Sequence, residues 1–328
     1  MNGILDLRRR QAETTWAGVS LESIELLDRT MLQHAIEQMA ANGIQRCILV
    51  TEHPVELRKQ YGSGHKWGCI IEYCSVEEIT AMLSQLEDEP VLVGQAVTIP
   101  GLSQAGFDLK GLSVPQLYMN SELMEEGLSS AFTGWAVSMP YILLRQCYAT
   151  EGAAGLLHAL LRDHSAAEII SCAAISATSP EALRSSIAMI LDGEFIDLVY
   201  HGSEIRPGIL AGEWPSVHAD ARCFGKAFIG AHVRIGRDVK LEGYVSIGSN
   251  CVVASGAEIR NSIVLPGTYI GSMARLDGDI AFAGKLIHGD GACIQIDDPR
   301  LVASTDIEPA HILSHFRRLL KQSLQHSS

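Results

Sequence analysis

Eight apolar residues recur at a spacing of six: Val217, Cys223, Ile229, Ile235, Leu241, Ile247, Val253 and Ile259. They sit inside short units such as IGAHVR, IGRDVK, LEGYVS and IGSNCV, and a fixed short period marks a stacked repeat architecture. Six matches neither the helical period of 3.6 nor the strand period of 2. It matches a parallel β-helix, in which each hexad forms one flat side and a corner. The recurring aliphatic stacks inward, and glycine or a small polar residue turns the corner. The period slips by one residue after Ile259, through NSIVLPGTYIG, and resumes at Ile270, Leu276 and Phe282. The spacing therefore predicts coils from about Val217 to Ile287, at three hexads per turn. Each turn leaves an apolar edge that only its neighbour covers, so the repeats form a domain of their own beside a second one.

The rest of the chain has room for that second core, with 328 residues of which 47% are hydrophobic. A net charge of -13 would be repelled by a phosphate backbone, which argues against nucleic acid or an anionic membrane as the main partner. At the amino terminus Arg8, Arg9 and Arg10 follow a very short apolar stretch, the reverse of the order in a secretory signal. No apolar run reaches membrane-spanning length. The eight cysteines are scattered, several within apolar runs such as RCILV and GCIIEY, with no CxxC pair. They read as buried free thiols, and with the other signals they predict a cytoplasmic protein.

Upstream of the repeats the pattern alternates. Met31, Leu32, Ala35, Ile36, Met39 and Ala40 fall on one helical face, Gly43 can stop that helix, and Cys47 to Val50 follows as a strand. Cys69 to Tyr73 reads as a strand, Val76 to Leu86 as a helix, Pro90 to Val93 as a buried strand and Ala131 to Ser138 as another. Helices near Gly152 to Leu161 and Pro180 to Leu191 flank the β-prone AEIISC. Such alternation predicts an α/β domain with a mostly parallel sheet. Its boundary with the coils is expected between Pro207 and Pro215, where IRPGILAGEWP is rich in turn formers. The last segment, IEPAHILSHFRRLLKQSL, places Ile312, Phe316, Leu319, Leu320 and Leu324 at near-helical spacing, as an amphipathic helix docking on this chain or a neighbour would.

In LLDRTMLQHAIEQMAANGIQRCILVTEHPVELRKQYGSGHKWGCIIEY, in DEPVLVG, in TGWAVSMPYIL, in ISATSPEALRSSIAMIL and in NSIVLPGTYIG the chain resembles the sugar-phosphate nucleotidyltransferases. These are nucleotide-sugar pyrophosphorylases of the mannose-1-phosphate guanylyltransferase-like kind that end in a left-handed β-helix. The ordered series, covering residues 3 to 300 or so, carries the resemblance; any one segment is weak. It implies an α/β fold: a Rossmann-like nucleotidyltransferase domain over 1–210, a left-handed parallel β-helix of hexapeptide repeats over 211–300, and a helical tail over 301–328. It also implies a place in nucleotide-sugar and exopolysaccharide metabolism.

Nucleotidyl transfer is mostly charge neutralisation and in-line positioning. In the family resembled, a glycine-rich loop with Arg and Lys cradles phosphates, and two aspartates hold Mg²⁺. This chain departs at each place. The loop position reads RRRQAETTWAG, in which only Gly18 could serve, and the lysine position falls near Leu21 or Glu22. The first metal aspartate falls within Gly94, Gln95, Ala96 and Val97, and the second at Ser176. Ile79 stands for a family glycine, with Thr80 kept. The expectation is a homologue without catalytic residues or a metal site, needing no cofactor, that binds a nucleotide sugar or sugar phosphate, or regulates or scaffolds a partner. Two alternatives stay open: an active nucleotidyltransferase using Mg²⁺, and a hexapeptide-repeat acyltransferase with His232 or His288 as base.

Ligand-binding candidates are Arg8, Arg9 and Arg10, near the phosphate-loop position, and Thr80 and Gly134, which match family positions near base and sugar. Each has a plainer reading: solvated arginines for the first three, packing for the last two. Trp67 and Trp135 lie in apolar runs and read as core aromatics in strands, and Glu125 and Glu126 as a solvated loop. Asp6, Asp108 and Asp197 are the acids from which a rebuilt metal site could be drawn. The expected partners are a homo-oligomer, or a hetero-oligomer with an active homologue, the coils being the docking surface in the family resembled.

Overall fold

The computed structural model describes residues 1–8, 15–16, 19–20, 24–86, 89–107, 115–119, 135–138, 152–153, 155–156, 168–198 and 202–305. Arg9, Arg10, Gly18, Leu21, Glu22, Asp108, Glu125, Glu126, Gly134 and the tail helix expected over 307–324 lie outside these residues. The chain divides into two compact units, Met1–Tyr200 and His201–Ser328.

In the first unit, Thr30 caps the helix Met31–Ala41 by accepting the Gln33 amide, and Asn42 and the left-handed Gly43 end it. Its stripe of Met31, Leu32, Ala35, Ile36 and Met39 is buried. The helix leads into the strand Arg46–Val50, one of seven in a mixed sheet. The spatial order is Glu168–Ser171, Gln116–Met119, Trp135–Ser138, Val91–Gly94, Asn2–Asp6, Arg46–Val50 and Ile70–Cys74. Trp135–Ser138 runs antiparallel to both neighbours, and the remaining pairs are parallel. The central strand is the near-continuous apolar run expected of a strand covered on both faces, with Ile4 and Leu5 fully buried.

Two elements differ from the sequence reading. The helix expected over Val76 to Leu86 is shortened to Ile79–Ser84, because Ser75 to Glu78 forms a turn closed by the Glu78 carboxylate on the Ser75 amide. Trp67 lies in the short 3₁₀ turn His65–Trp67, not in a strand. The left-handed Gly64 and Gly68 bracket it, and its Nε1–H donates to Glu37 at 3.0 Å.

The second unit is a parallel β-helix. Its inward positions form three columns: Ile229, Ile247, Val264 and Ala281; Val217, Ile235, Val253 and Ile270; and Cys223, Leu241, Ile259 and Leu276. Leu241 pairs with Cys223 eighteen residues earlier, whereas Ile270 pairs with Val253 seventeen earlier; this is the slip seen in the sequence. Because Ala281 pairs with Val264, the inward position is Ala281 and not Phe282: the last coil drops a residue as well. The parallel stack begins at Ile209–Ala211, one hexad before Val217, and ends at Ile280–Phe282. Lys285–Ile287, expected as coil, instead folds back antiparallel, followed by Cys293–Gln295, while Val302–Ser304 returns antiparallel on Thr268–Ile270. Burying each isoleucine or valine of the columns is worth about 1.5–3 kcal/mol.

Every coil turns through left-handed residues in register. One corner column is Trp214, His232, Asn250, Gly267 and Gly284; another is Asp238, Gly256 and Met273; a third is Gly225, Gly243, Asn261 and Gly278. The corner amide bonds back to the preceding coil, as from His232 to the Glu213 carbonyl at 2.9 Å and from Asn250 to that of Ala231 at 2.8 Å. The outward faces carry ion pairs between coils, such as Lys240 with Glu258 at 2.7 Å and Arg275 with Glu258 at 3.1 Å. Being exposed, they contribute little to stability. Among the described residues no helix is long and apolar enough to cross a membrane.

Candidate functional site

The carboxyl end of the central strand is where a parallel sheet presents chemistry, and it places Asp6 there, 6% exposed. Arg8 folds back on it: Nη2 lies 2.6 Å from Oδ2, Nε lies 2.9 Å from Oδ1, and the Arg8 amide donates to Oδ1 at 3.0 Å. A further donor comes from far along the chain, the Ala153 amide, 2.7 Å from Oδ2. Gly152, with φ +69, permits this approach; a Cβ there would stand 2.6 Å from Asp6 Oδ2 and 2.9 Å from Arg8 Nη2. The carboxylate is thus enclosed by donors, and the guanidinium, with a side chain only 11% exposed, is engaged by it. Of the sequence candidates, Arg8 is therefore a partner of Asp6, and Thr80 is an exposed residue on the short helix Ile79–Ser84.

The two positions at which the resemblance places metal aspartates do come together. Thr98–Pro100 pairs antiparallel with Ala174–Ser176, Thr98 opposite Ser176, and the Ala177 amide donates to the Val97 carbonyl at 2.9 Å. The side chains there are neutral. Ser176 Oγ lies 3.1 Å from Thr98 Oγ1 and 2.9 Å from Thr178 Oγ1. The Gly94 position is filled by Trp135, for a Cβ on Gly94 would sit 2.6 Å from the indole. That ring is fully buried and its Nε1–H is shared between the carbonyls of Gln95 at 3.0 Å and Thr98 at 2.7 Å. Trp135 is thus a core aromatic, as its apolar surroundings in the sequence indicated. Gln95 supplies a buried amide oxygen without a described hydrogen-bond partner.

Magnesium takes hard, mostly anionic oxygen ligands in octahedral array. Hydroxyls, one amide oxygen and an indole do not fit it. Asp6 is held by Arg8, and the Asp197 carboxylate accepts the amides of Ser103 at 3.0 Å and Gln104 at 3.5 Å. Among the described residues no three His, Cys, Asp or Glu side chains group to hold a metal.

The histidines of the β-helix lie in different settings. His232 is an exposed corner residue with φ 58. His288 follows the folded-back strand Lys285–Ile287, and its Nδ1 lies 2.5 Å from Oδ1 of the buried Asp279. Oδ2 of Asp279 accepts the Asp277 amide at 3.1 Å, and its own amide donates to Ser262 Oγ at 3.0 Å. Sequence reading missed this pair and the Asp6–Arg8–Ala153 arrangement. The Asp-x-Arg spacing was the only local signal for the latter.

Residues 226–261 match the family "Bacterial transferase hexapeptide (six repeats)", and these residues lie on the coils just described. The chain is 28% identical over 116 residues to a UTP–glucose-1-phosphate uridylyltransferase of Synechocystis sp. (strain ATCC 27184 / PCC 6803 / Kazusa), a match covering 34% of this chain and 29% of that relative. The chain thus spans less than a third of the length of the curated relative it matches. A Bacillus anthracis crystal structure, described as a glucose-1-phosphate thymidylyltransferase in complex with a sucrose, aligns over 56% of this chain and 94% of its own. Its TM-score is 0.40, at 11% identity. The coils thus carry repeats of the bacterial transferase hexapeptide kind, and over 116 residues the chain is similar in sequence to a UTP–glucose-1-phosphate uridylyltransferase.

Proposed function

We propose that this protein is a non-catalytic homologue of the sugar-phosphate nucleotidyltransferases, acting in nucleotide-sugar and exopolysaccharide metabolism. It binds a nucleotide sugar or sugar phosphate, or regulates or scaffolds an active homologue, in a homo-oligomer or hetero-oligomer. One observation carries the reading: residues 94–97 and Ser176, where the resemblance places the metal aspartates, come together through the Ala177 amide on the Val97 carbonyl, yet the side chains there are the Trp135 indole against Gly94, the Gln95 amide and the Ser176 hydroxyl. Without anionic ligands nothing there offsets the charge that develops on a transferring phosphate. A cytoplasmic setting is part of the proposal. It is supported by Cys47, Cys69, Cys74, Cys172 and Cys251, all buried and free, with burial pushing the Cys172 thiol up to about 11.

The test is pyrophosphate release from a panel of nucleoside triphosphates and sugar 1-phosphates with Mg²⁺. No turnover above background is expected, and turnover at the rate of an active uridylyltransferase would overturn the reading. Restoring an acid by Gly94→Asp is expected to destabilise the first unit by about 3 kcal/mol, because the new side chain meets Trp135. It should add no Mg²⁺ binding by calorimetry. Nucleotide sugars titrated by calorimetry then separate a sensor from a pure scaffold.

A second reading, acyl transfer, has one observation in its favour: the buried Asp279 holds Nδ1 of His288 and so fixes the ring, as an orienting carboxylate does for a general base. Acetyl-CoA turnover lost in His288→Gln would favour it.

A further inference from the structure

The corner column that begins Trp214, His232 and Asn250 differs from the other two in its first turns. In the others the left-handed backbone is carried mostly by glycine, asparagine or aspartate, the residues that accept it most readily, Met273 apart. Asn250, Gly267 and Gly284 follow that rule here as well, but the first two turns are carried by a tryptophan at φ 53 and a histidine at φ 58. Trp214 is doubly disfavoured, since Pro215 follows it and a residue before proline is pushed towards extended conformations. The indole gains no burial in exchange, being 79% exposed. His232, Asn250 and Glu213 are exposed too. Among the described residues none of these four side chains makes a hydrogen bond or ion pair. A bulky aromatic held in a costly conformation, facing water, points to something outside the fold that uses it.

The order of the column says what that partner is. Coils are stacked at the strand spacing, so Trp214, His232 and Asn250 stand about 4.8 Å apart, one per coil, along a straight edge. The edge is rigid, because the corner amides of His232 and Asn250 are each bonded to the coil before. A flat indole face suits the C–H face of a pyranose ring. The imidazole, the carboxamide and the Glu213 carboxylate then supply donors and acceptors for hydroxyls of the same and the next sugar. Of the corner's own side chains Glu213 is an anion, and the exposed Arg234 lies on the adjoining flat side two residues beyond His232, so the Glu213 carboxylate beside the indole disfavours an anionic chain on this edge. We infer that the Trp214–His232–Asn250 corner is a binding site for a neutral oligosaccharide, which lies along the β-helix edge with a sugar ring stacked on Trp214.

The probes are maltohexaose and cellohexaose, followed by saturation-transfer NMR of the sugar protons on the full-length protein. Saturable, millimolar binding of at least one probe is expected. Trp214→Gly should weaken it at least about tenfold and Asn250→Ala about threefold, while Trp214→Phe keeps part of it. Because glycine suits this backbone, Trp214→Gly should leave the thermal midpoint unchanged or raise it, so loss of binding cannot be ascribed to unfolding. Three outcomes would each overturn the inference. One is no saturable binding of either probe. Another is equal binding by wild type and Trp214→Gly. The third is a concentration-dependent rise in wild-type mass that Trp214→Gly abolishes, which would show a second copy covering the indole.

Discussion

The β-helix and the mixed sheet of the first unit are both built largely of parallel strand pairs, but they are encoded over different distances. In the β-helix each inward residue meets its equivalent one coil away, Leu241 on Cys223 and again Ile259 on Leu241. The same contact is therefore written several times over. In the first unit, Asp6 at the end of a sheet strand depends on Ala153, and Thr98 in a separate two-stranded pair depends on Ser176, and each meeting occurs once. Repetition spreads stability over many equivalent sites, whereas single long-range meetings concentrate it at a few. Substitutions in the two units should therefore behave differently.

The largest effect is expected inside the coils. Ile247→Asp would place a carboxylate in a fully buried column between Ile229 and Val264, at a cost above about 5 kcal/mol. Urea denaturation followed by circular dichroism should lose the transition of the second unit and keep that of the first; loss of both would deny the units their independence. Next comes Arg8→Gln, which leaves the buried Asp6 carboxylate without its cation and should cost about 3–5 kcal/mol in the first unit. Adding Asp6→Asn should recover much of that, and a double-mutant cycle in urea measures the recovery. A coupling near zero would mean that the pair does not hold the unit together.

The smallest effect is a pH dependence. His34 is 1% exposed, and burial pushes its imidazole down to about 4 from the ordinary 6.5, against the opposing bond from its Nε2 to the Leu26 carbonyl. The unfolded chain therefore binds a proton that the folded chain refuses between pH 6.5 and 4. Stability from this group is complete above pH 6.5 and falls as the pH drops towards 4, by about 3 kcal/mol in all. Urea midpoints of the first unit across that range should slope accordingly and flatten in His34→Gln. An unchanged slope would place the acid sensitivity elsewhere.

How far the sequence could be read follows from the same contrast. The hexad column, and the slip after Ile259, were legible because every coil repeats the message. The end of the stack was not. Taking Phe282 as inward ignores a second dropped residue that shows only when Ala281 pairs with Val264. In the first unit, the helix Met31–Ala41 and the central strands were readable from periodicity and apolar runs. Trp67 was misread because apolar neighbours alone do not distinguish a strand from a turn bracketed by glycines. The enclosure of Asp6 rests on Gly152 and Ala153, and no local pattern predicts a contact across nearly 150 residues of chain. That Gly94–Val97 and Ser176 would face one another came only through family resemblance. What fills the space, the Trp135 indole, had to be seen.

The antiparallel return of Lys285–Ile287, Cys293–Gln295 and Val302–Ser304 has a consequence for how this molecule behaves in a crowded solution. A β-helix that simply stopped would present its last coil as a template, and another copy could add end-on and start a filament. By turning its last strands against the coil direction, the chain puts a mismatched surface where growth would begin. On the faces that Lys285–Ile287 and Val302–Ser304 cover, a further coil would not find the parallel register continued.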